Sequence, residues 1–258
     1  MKLLVWGALA QGVVLESLRR KDLWVVAILG FLIMMAAGTL GFFGMQGLQV
    51  FVKDLSVSVL GMFSTIVAIL TASRMLPDEI RQRTLYPLLA RPISRFDLIF
   101  GKLLGAVLVS WIAFLLLAAL TAVALLSFHV GFEPIMLQYL LCKMMGLVVI
   151  CALSVAFSAY MTPAAGATTT FIFTFGSSMI TRGTMMAYTS AGPGLRPAIK
   201  VFTAIFPQFT LFDLGGRVAN INWAPVPLWV VLFLLGYMAF YTSSFVGLAW
   251  LKFRRQAV

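Results

Sequence analysis

The sequence predicts an all-α membrane protein with six transmembrane helices. An amphipathic helix precedes them, a charged cytoplasmic insert separates the second from the third, and an outer helical segment separates the fifth from the sixth. Three observations carry this. Of 258 residues, 62% are hydrophobic and 10% charged, with a mean hydropathy of +1.03, far from globular averages. The apolar residues fall in runs of the length a helix needs to cross a hydrocarbon core about 30 Å thick, too continuous for barrel strands. The basic residues gather at the ends of those runs. That placement makes the net charge of +11 a topology signal, not a nucleic-acid signal.

Residues 1–22, MKLLVWGALAQGVVLESLRRKD, begin like a signal peptide, with a lysine and a short apolar run. Gln11 and Glu16 interrupt the run, and Arg19, Arg20 and Lys21 follow it. The segment reads as a retained helix on the cytoplasmic membrane face, with Leu4, Ala8, Leu15 and Leu18 toward lipid.

The six spans fall at residues 23–43, 55–75, 99–127, 135–160, 163–181 and 226–251, in a single domain over 1–258. An even number puts both termini on one side. Thirteen of the nineteen basic residues share that side, including Arg81, Arg83, Arg91, Arg95 and Lys102, so the positive-inside rule makes it cytoplasmic. Lys53, Arg182, Arg196, Lys200 and Arg217 remain outside. Trp24 and Trp250 then lie near the inner interface, and Trp223 and Trp229 near the outer one.

The fifth span, TPAAGATTTFIFTFGSSMIT, is dense in small and hydroxylic residues, among them Thr168, Thr169, Thr170, Thr174, Gly176 and Ser177. Such residues let helices approach closely, so the span is expected to be buried against another helix; a polar path is the alternative. In residues 182–225, Leu195, Ala198, Ile199, Phe202, Ile205 and Phe206 follow helical spacing opposite Arg196, Lys200 and Thr203. That is an amphipathic helix at the outer surface, ended by Pro207.

Groups able to do chemistry are sparse. His129 beside Glu133 is too isolated for a metal site or a triad. Cys142 and Cys151 lack CxxC spacing and read as packed thiols. Lys143 is the one clear charge inside a span; it either snorkels to the outer interface or touches a substrate or partner. Gly101-Lys102 is no phosphate loop, because Phe96 stands where the first glycine belongs and Leu103 where a Ser or Thr would bind magnesium. With no run of buried carboxylates to relay protons, uphill transport needs another chain to supply the work.

The insert, residues 76–98, opens with Pro77, which is expected to break the second span's helix, and Asp78 and Glu79, which favour a new helical start. Pro87 and Pro92 punctuate the rest of the insert. Leu85, Leu88, Leu89 and Ile93 form an apolar strip between basic groups, as a docking element would.

The stretch DEIRQRTLYPLLARPISRFDLIFGKLLG resembles the cytoplasmic segment of the type-2 exporter family of ABC transporter permeases. The family pattern of an acidic residue, a basic-or-Gly residue with Thr and Leu, Arg-Pro-hydrophobic-Ser-Arg and Gly-Lys is met by Glu79, Arg83-Thr84-Leu85, Arg91-Pro92-Ile93-Ser94-Arg95 and Gly101-Lys102. FPQFTLFDL, residues 206–214, is similar to the family's approach to the sixth span. Many relatives have Gly where Arg83 stands.

The resemblance implies an inner-membrane permease subunit of an ATP-driven exporter. It would pair with a second permease, usually an identical copy, and with two cytoplasmic ATPase subunits; an accessory or periplasmic protein is a further partner. ATP and magnesium would sit on the ATPase, and this chain would be neither an enzyme nor a binder of a cofactor. The insert would include the coupling helix, with Asp78, Glu79, Arg81, Arg83, Thr84, Leu85, Leu88, Arg91, Pro92, Ser94 and Arg95 at the ATPase contact. The fifth-span residues named above, with Lys143, would line the translocation path or the interface between permeases. The rival readings are a secondary transporter or channel working alone, a lipid-modifying enzyme, and a membrane anchor. The interior reads as apolar with Thr and Ser patches and no charged ring, which favours a hydrophobic or amphipathic substrate.

Overall fold

The computed structural model describes residues 2–21, a few helical positions between 24 and 35, and residues 48–81, 94–127, 134–190, 192, 194–219 and 225–255. Every regular element among them is helical. In order they are α1 (Lys2–Arg19), α2 (Leu48–Arg81), α3 (Arg95–Ser127), α4 (Pro134–Tyr160), α5 (Pro163–Ser190), α6 (Arg196–Ile205), a 3-10 turn (Phe209–Phe212), α7 (Gly215–Ala219) and α8 (Leu228–Arg255).

Four helices are long and apolar enough to cross a membrane: Lys53–Met75 of α2, α3, α4 and Leu228–Arg254 of α8. These match the predicted second, third, fourth and sixth spans. The predicted first span lies largely outside the described residues. The predicted fifth span is helical, but its many Thr, Ser and Gly residues leave α5 out of that group.

Helix α4 is the central element, packing against α2, α3, α5 and α8. Leu60, Ile69, Leu98, Ile99, Phe114, Leu117, Leu125, Tyr139, Phe212 and Phe253 have almost no exposed surface and fill the spaces around it. Polar groups tie the helices where apolar packing alone would leave register loose. Trp111 donates its indole N–H to the Met144 carbonyl at 3.1 Å, Ser154 its hydroxyl to the Ile69 carbonyl at 3.0 Å, and Tyr139 its hydroxyl to the Val57 carbonyl at 3.2 Å. The Gln138 amide closes a reciprocal pair with the Val226 backbone, at 2.9 Å and 2.7 Å. Elsewhere large apolar side chains face outward, including Leu115, Val123 and Leu126 of α3 and Trp229, Leu232, Phe233 and Phe240 of α8. An apolar exterior of this extent suits hydrocarbon, not water.

Helix α1 does not lie alone on the membrane face. It packs along α3, with Ala10, Val13 and Ser17 buried while Ala8, Leu15 and Leu18 remain exposed as expected. The close approach depends on two glycines: a Cβ on Gly101 would come within 2.8 Å of the Leu9 side chain, and one on Gly105 within 2.6 Å of Val13 Cβ. Trp6 anchors the same seam by donating its indole N–H to Asp97 Oδ1 at 2.9 Å.

Three expectations about boundaries need correction. Pro77 lies inside α2, which continues to Arg81; it does not break the helix. A proline removes one backbone donor, here the one facing the Ser73 carbonyl, and that is tolerated near the end of a long helix held by packing on α3, α4 and α5. Likewise the fifth helix does not end at residue 181: α5 continues to Ser190, into the segment predicted as outer. Lys53, assigned to the outer loop, is buried within α2.

Candidate functional site

Helices α2, α4 and α5 diverge at the end of the bundle that carries α6 and α7, leaving a polar cleft of about 540 Å³. Helix α2 contributes Asp54, Ser58, Gly61, Met62 and Thr65, and α5 contributes Thr174, Phe175, Ser178 and Arg182. Lys143 of α4 reaches its floor, and Asp213, between the 3-10 turn and α7, closes one side.

Lys143 has a partner within the chain. Its ammonium donates to Asp213 Oδ2 at 3.2 Å, with the lysine side chain only 11% exposed and the aspartate 49%. Asp213 is oriented by the Gly215 N–H, which donates to Oδ1 at 2.9 Å. The FPQFTLFDL segment holds this carboxylate in place by sinking Phe209 and Phe212 into the core, and the Gln208 N–H donates to the Tyr237 hydroxyl at 2.8 Å. Asp54 and Arg182 also line the cleft, and among the described residues neither has a hydrogen-bond or ion-pair partner. The cleft thus holds two cations and two anions. Lone aspartates carry no sequence pattern; their spacing in the fold is what assembles the set.

The fifth-span hydroxyls divide between roles. Thr170 and Ser177 are buried on the α5 packing face, and Gly166 lets α5 approach α4 so closely that a Cβ there would lie 3.1 Å from the Ser158 backbone. Thr174 lines the cleft beside Lys143, whereas Thr168 faces an apolar groove. Within the chain α5 packs on α4 and α2 but fully buries only Gly166, Thr170 and Ser177, and among the described residues nothing approaches Gly176. The hydroxyls need no neighbour, because Thr168, Thr169, Thr170 and Thr174 each donate to the carbonyl four residues back at 2.8–2.9 Å, and Ser177 to Thr174 at 2.8 Å.

Helix α6 forms as its spacing predicts and packs on α5, where the Arg196 guanidinium and Lys200 ammonium lie 5.7 Å and 5.8 Å from the centre of the Tyr188 ring. Leu195, Val201 and Phe202 stay exposed.

Of the insert residues, Arg83, Thr84, Leu85, Leu88, Arg91 and Pro92 lie outside the described residues, as do His129 and Glu133, and the side chains of Asp78, Glu79 and Arg81 are not described. Two are placed. Ser94 sits directly before α3, where its hydroxyl accepts the Asp97 N–H at 3.1 Å and donates to Asp97 Oδ2 at 2.5 Å, a capping arrangement. Arg95 donates to the carbonyls of Phe253 and Arg254, at 3.1 Å and 3.3 Å, so Ser94 caps the start of α3 and Arg95 ties that start to the end of α8. Cys142 and Cys151 are buried free thiols, and among the described residues no three His, Cys, Asp or Glu side chains cluster closely enough to hold a metal ion.

A family model described as ABC-2 family transporter protein matches residues 16–181 of the chain. No curated protein matches it.

Proposed function

Because the chain belongs to the ABC-2 transporter family, we propose that it is the integral-membrane permease subunit of an ATP-driven exporter, coupled to a separate ATPase. The family match over residues 16–181 carries this reading: it spans α2, the insert, α3, α4 and much of α5, the parts from which a permease would build its path and its docking segment.

In this proposal two ATPase subunits bind ATP and magnesium and dock on the inserts of a permease homodimer in the cell inner membrane, with both termini cytoplasmic. Glu79, Arg83, Arg91 and their neighbours in 78–95 form the contact. Closure of the ATPase pair tilts α2 and α3, which flank the insert and pack on each other, and the cleft at the far end of α2 changes shape in response. In this reading the residues of the chain transmit force and line the path.

The test is reconstitution of the chain with its ATPase in lipid nanodiscs. Replacing Glu79 with Ala, or reversing the charge of Arg91 and Arg95, is expected to abolish ATPase retention or substrate-stimulated hydrolysis while the chain still inserts. Unchanged retention, hydrolysis and transport in these variants would overturn the docking assignment, and transport by the chain alone on an ion gradient would overturn the coupling.

A further inference from the structure

The polar cleft does not end at its apolar wall. One to two helical turns further along the same α2–α5 seam lies a groove of about 250 Å³ lined by Ile66, Ile69, Leu70, Ala167, Thr168 and Phe171. Helical spacing makes the two continuous: Ile66 and Ile69 follow Met62 and Thr65 of the cleft on one face of α2. Across the seam, Phe171 lies one turn from Phe175, their rings 4.4 Å apart. Met62, Leu70, Phe171 and Phe175 are all more than a third exposed, so the seam opens sideways along its length.

The seam is therefore charged at one end and oily at the other. At the charged end Arg182 presents positive charge and Asp54 negative charge, while Lys143 and Asp213 answer each other at 3.2 Å. A ligand with a single charge would answer only one of the two open groups, whereas one carrying both an anion and a cation answers both. A hydrocarbon tail on that ligand would follow the groove, where the lining offers no charged group and its one hydroxyl, Thr168, is already bonded to the Ala164 carbonyl.

We propose that the α2–α5 seam binds a zwitterionic phospholipid, its phosphate at Arg182, its ammonium at Asp54, and one acyl chain along Ile66, Leu70, Ala167 and Phe171. Binding of this kind requires no ATP coupling, so it stands or falls separately from the exporter reading.

The experiment uses the full chain in nanodiscs of equal phosphatidylethanolamine and phosphatidylglycerol, with p-benzoylphenylalanine at position 171 to capture the neighbouring lipid and mass spectrometry to identify it. The expected result is phosphatidylethanolamine captured over phosphatidylglycerol by about tenfold, the effect of one charge-assisted contact. Asp54→Lys removes that preference, Arg182→Glu lowers capture of both lipids, and Ala167→Trp, which fills the groove, lowers capture without changing the preference; each variant is checked for an unchanged melting temperature. A second measurement adds glycerophosphoethanolamine, the head group without tails, which is expected not to compete. Equal capture of the two lipids, preference unaffected by Asp54→Lys, competition by the bare head group, or a chain-to-chain adduct at position 171 overturns the proposal.

Discussion

Arg95 binds the far end of the chain: its Nη1 donates to the Phe253 carbonyl at 3.1 Å and to the Arg254 carbonyl at 3.3 Å. An arginine expected to face an ATPase thus already satisfies two carbonyls that the end of α8 leaves without intrahelical donors. Arg95→Ala should lower stability by about 1 kcal/mol, the usual worth of a partly exposed charge-assisted bond, and expose the C-terminal end of α8 to protease. Melting temperature and limited proteolysis check this; a variant as stable as wild type with lost ATPase retention would assign Arg95 to docking alone.

The pair between Lys143 and Asp213 is asymmetric, the cation nearly enclosed and the anion half exposed. Exposure of the carboxylate limits the pair's contribution to about 1 kcal/mol. A double-mutant cycle with Lys143→Ala and Asp213→Ala should return a coupling near that size, weakened by added salt. Transport, in contrast, should fall much further than stability in either single variant, because both groups line the cleft.

The α1–α3 seam makes a sharper forecast. Gly105→Val drives Val13, and α1 with it, away from α3 and should cost about 1–3 kcal/mol, as overpacking does, whereas Gly7→Ala meets nothing and should be neutral or slightly stabilising. Comparison of the two melting temperatures tests whether α1 is a fixed part of the bundle.

Asp97 serves two partners, the Trp6 indole and the Ser94 hydroxyl. Asp97→Ala should therefore cost more than Ser94→Ala, about 2 kcal/mol against about 1. Tryptophan emission should shift in the first variant only, as Trp6 loses its acceptor.

Much of the fold is legible in the sequence because a membrane span is the simplest pattern a sequence can carry. The bounds of α3 and α4 follow from apolar runs, and α6 from the period of Leu195, Ile199 and Phe202. Pro77 misleads because a proline's effect depends on whether neighbouring helices hold the segment straight, which is a tertiary fact. Lys143 is visible as an intramembrane charge, but Asp213 lies seventy residues away in a segment noticeable only for its aromatics. Gly101 and Lys102 read in the sequence as a failed phosphate loop and a family mark; only the packed structure reveals that Gly101 makes room for Leu9. The α5 composition signals small residues without revealing that they bond within their own helix.

The unbroken course of α2 through Pro77 has a mechanical meaning. At 34 residues it is about 50 Å long, roughly 20 Å more than a hydrocarbon core, and its two ends carry Asp54 near one tip and Asp78 near the other. A rod of that length pivoting at its tightly packed middle, around Ser64 and Ala68, displaces its two tips in opposite directions. A push of a few ångströms at Arg81 would then open or pinch the mouth at Asp54 without any residue between them changing conformation.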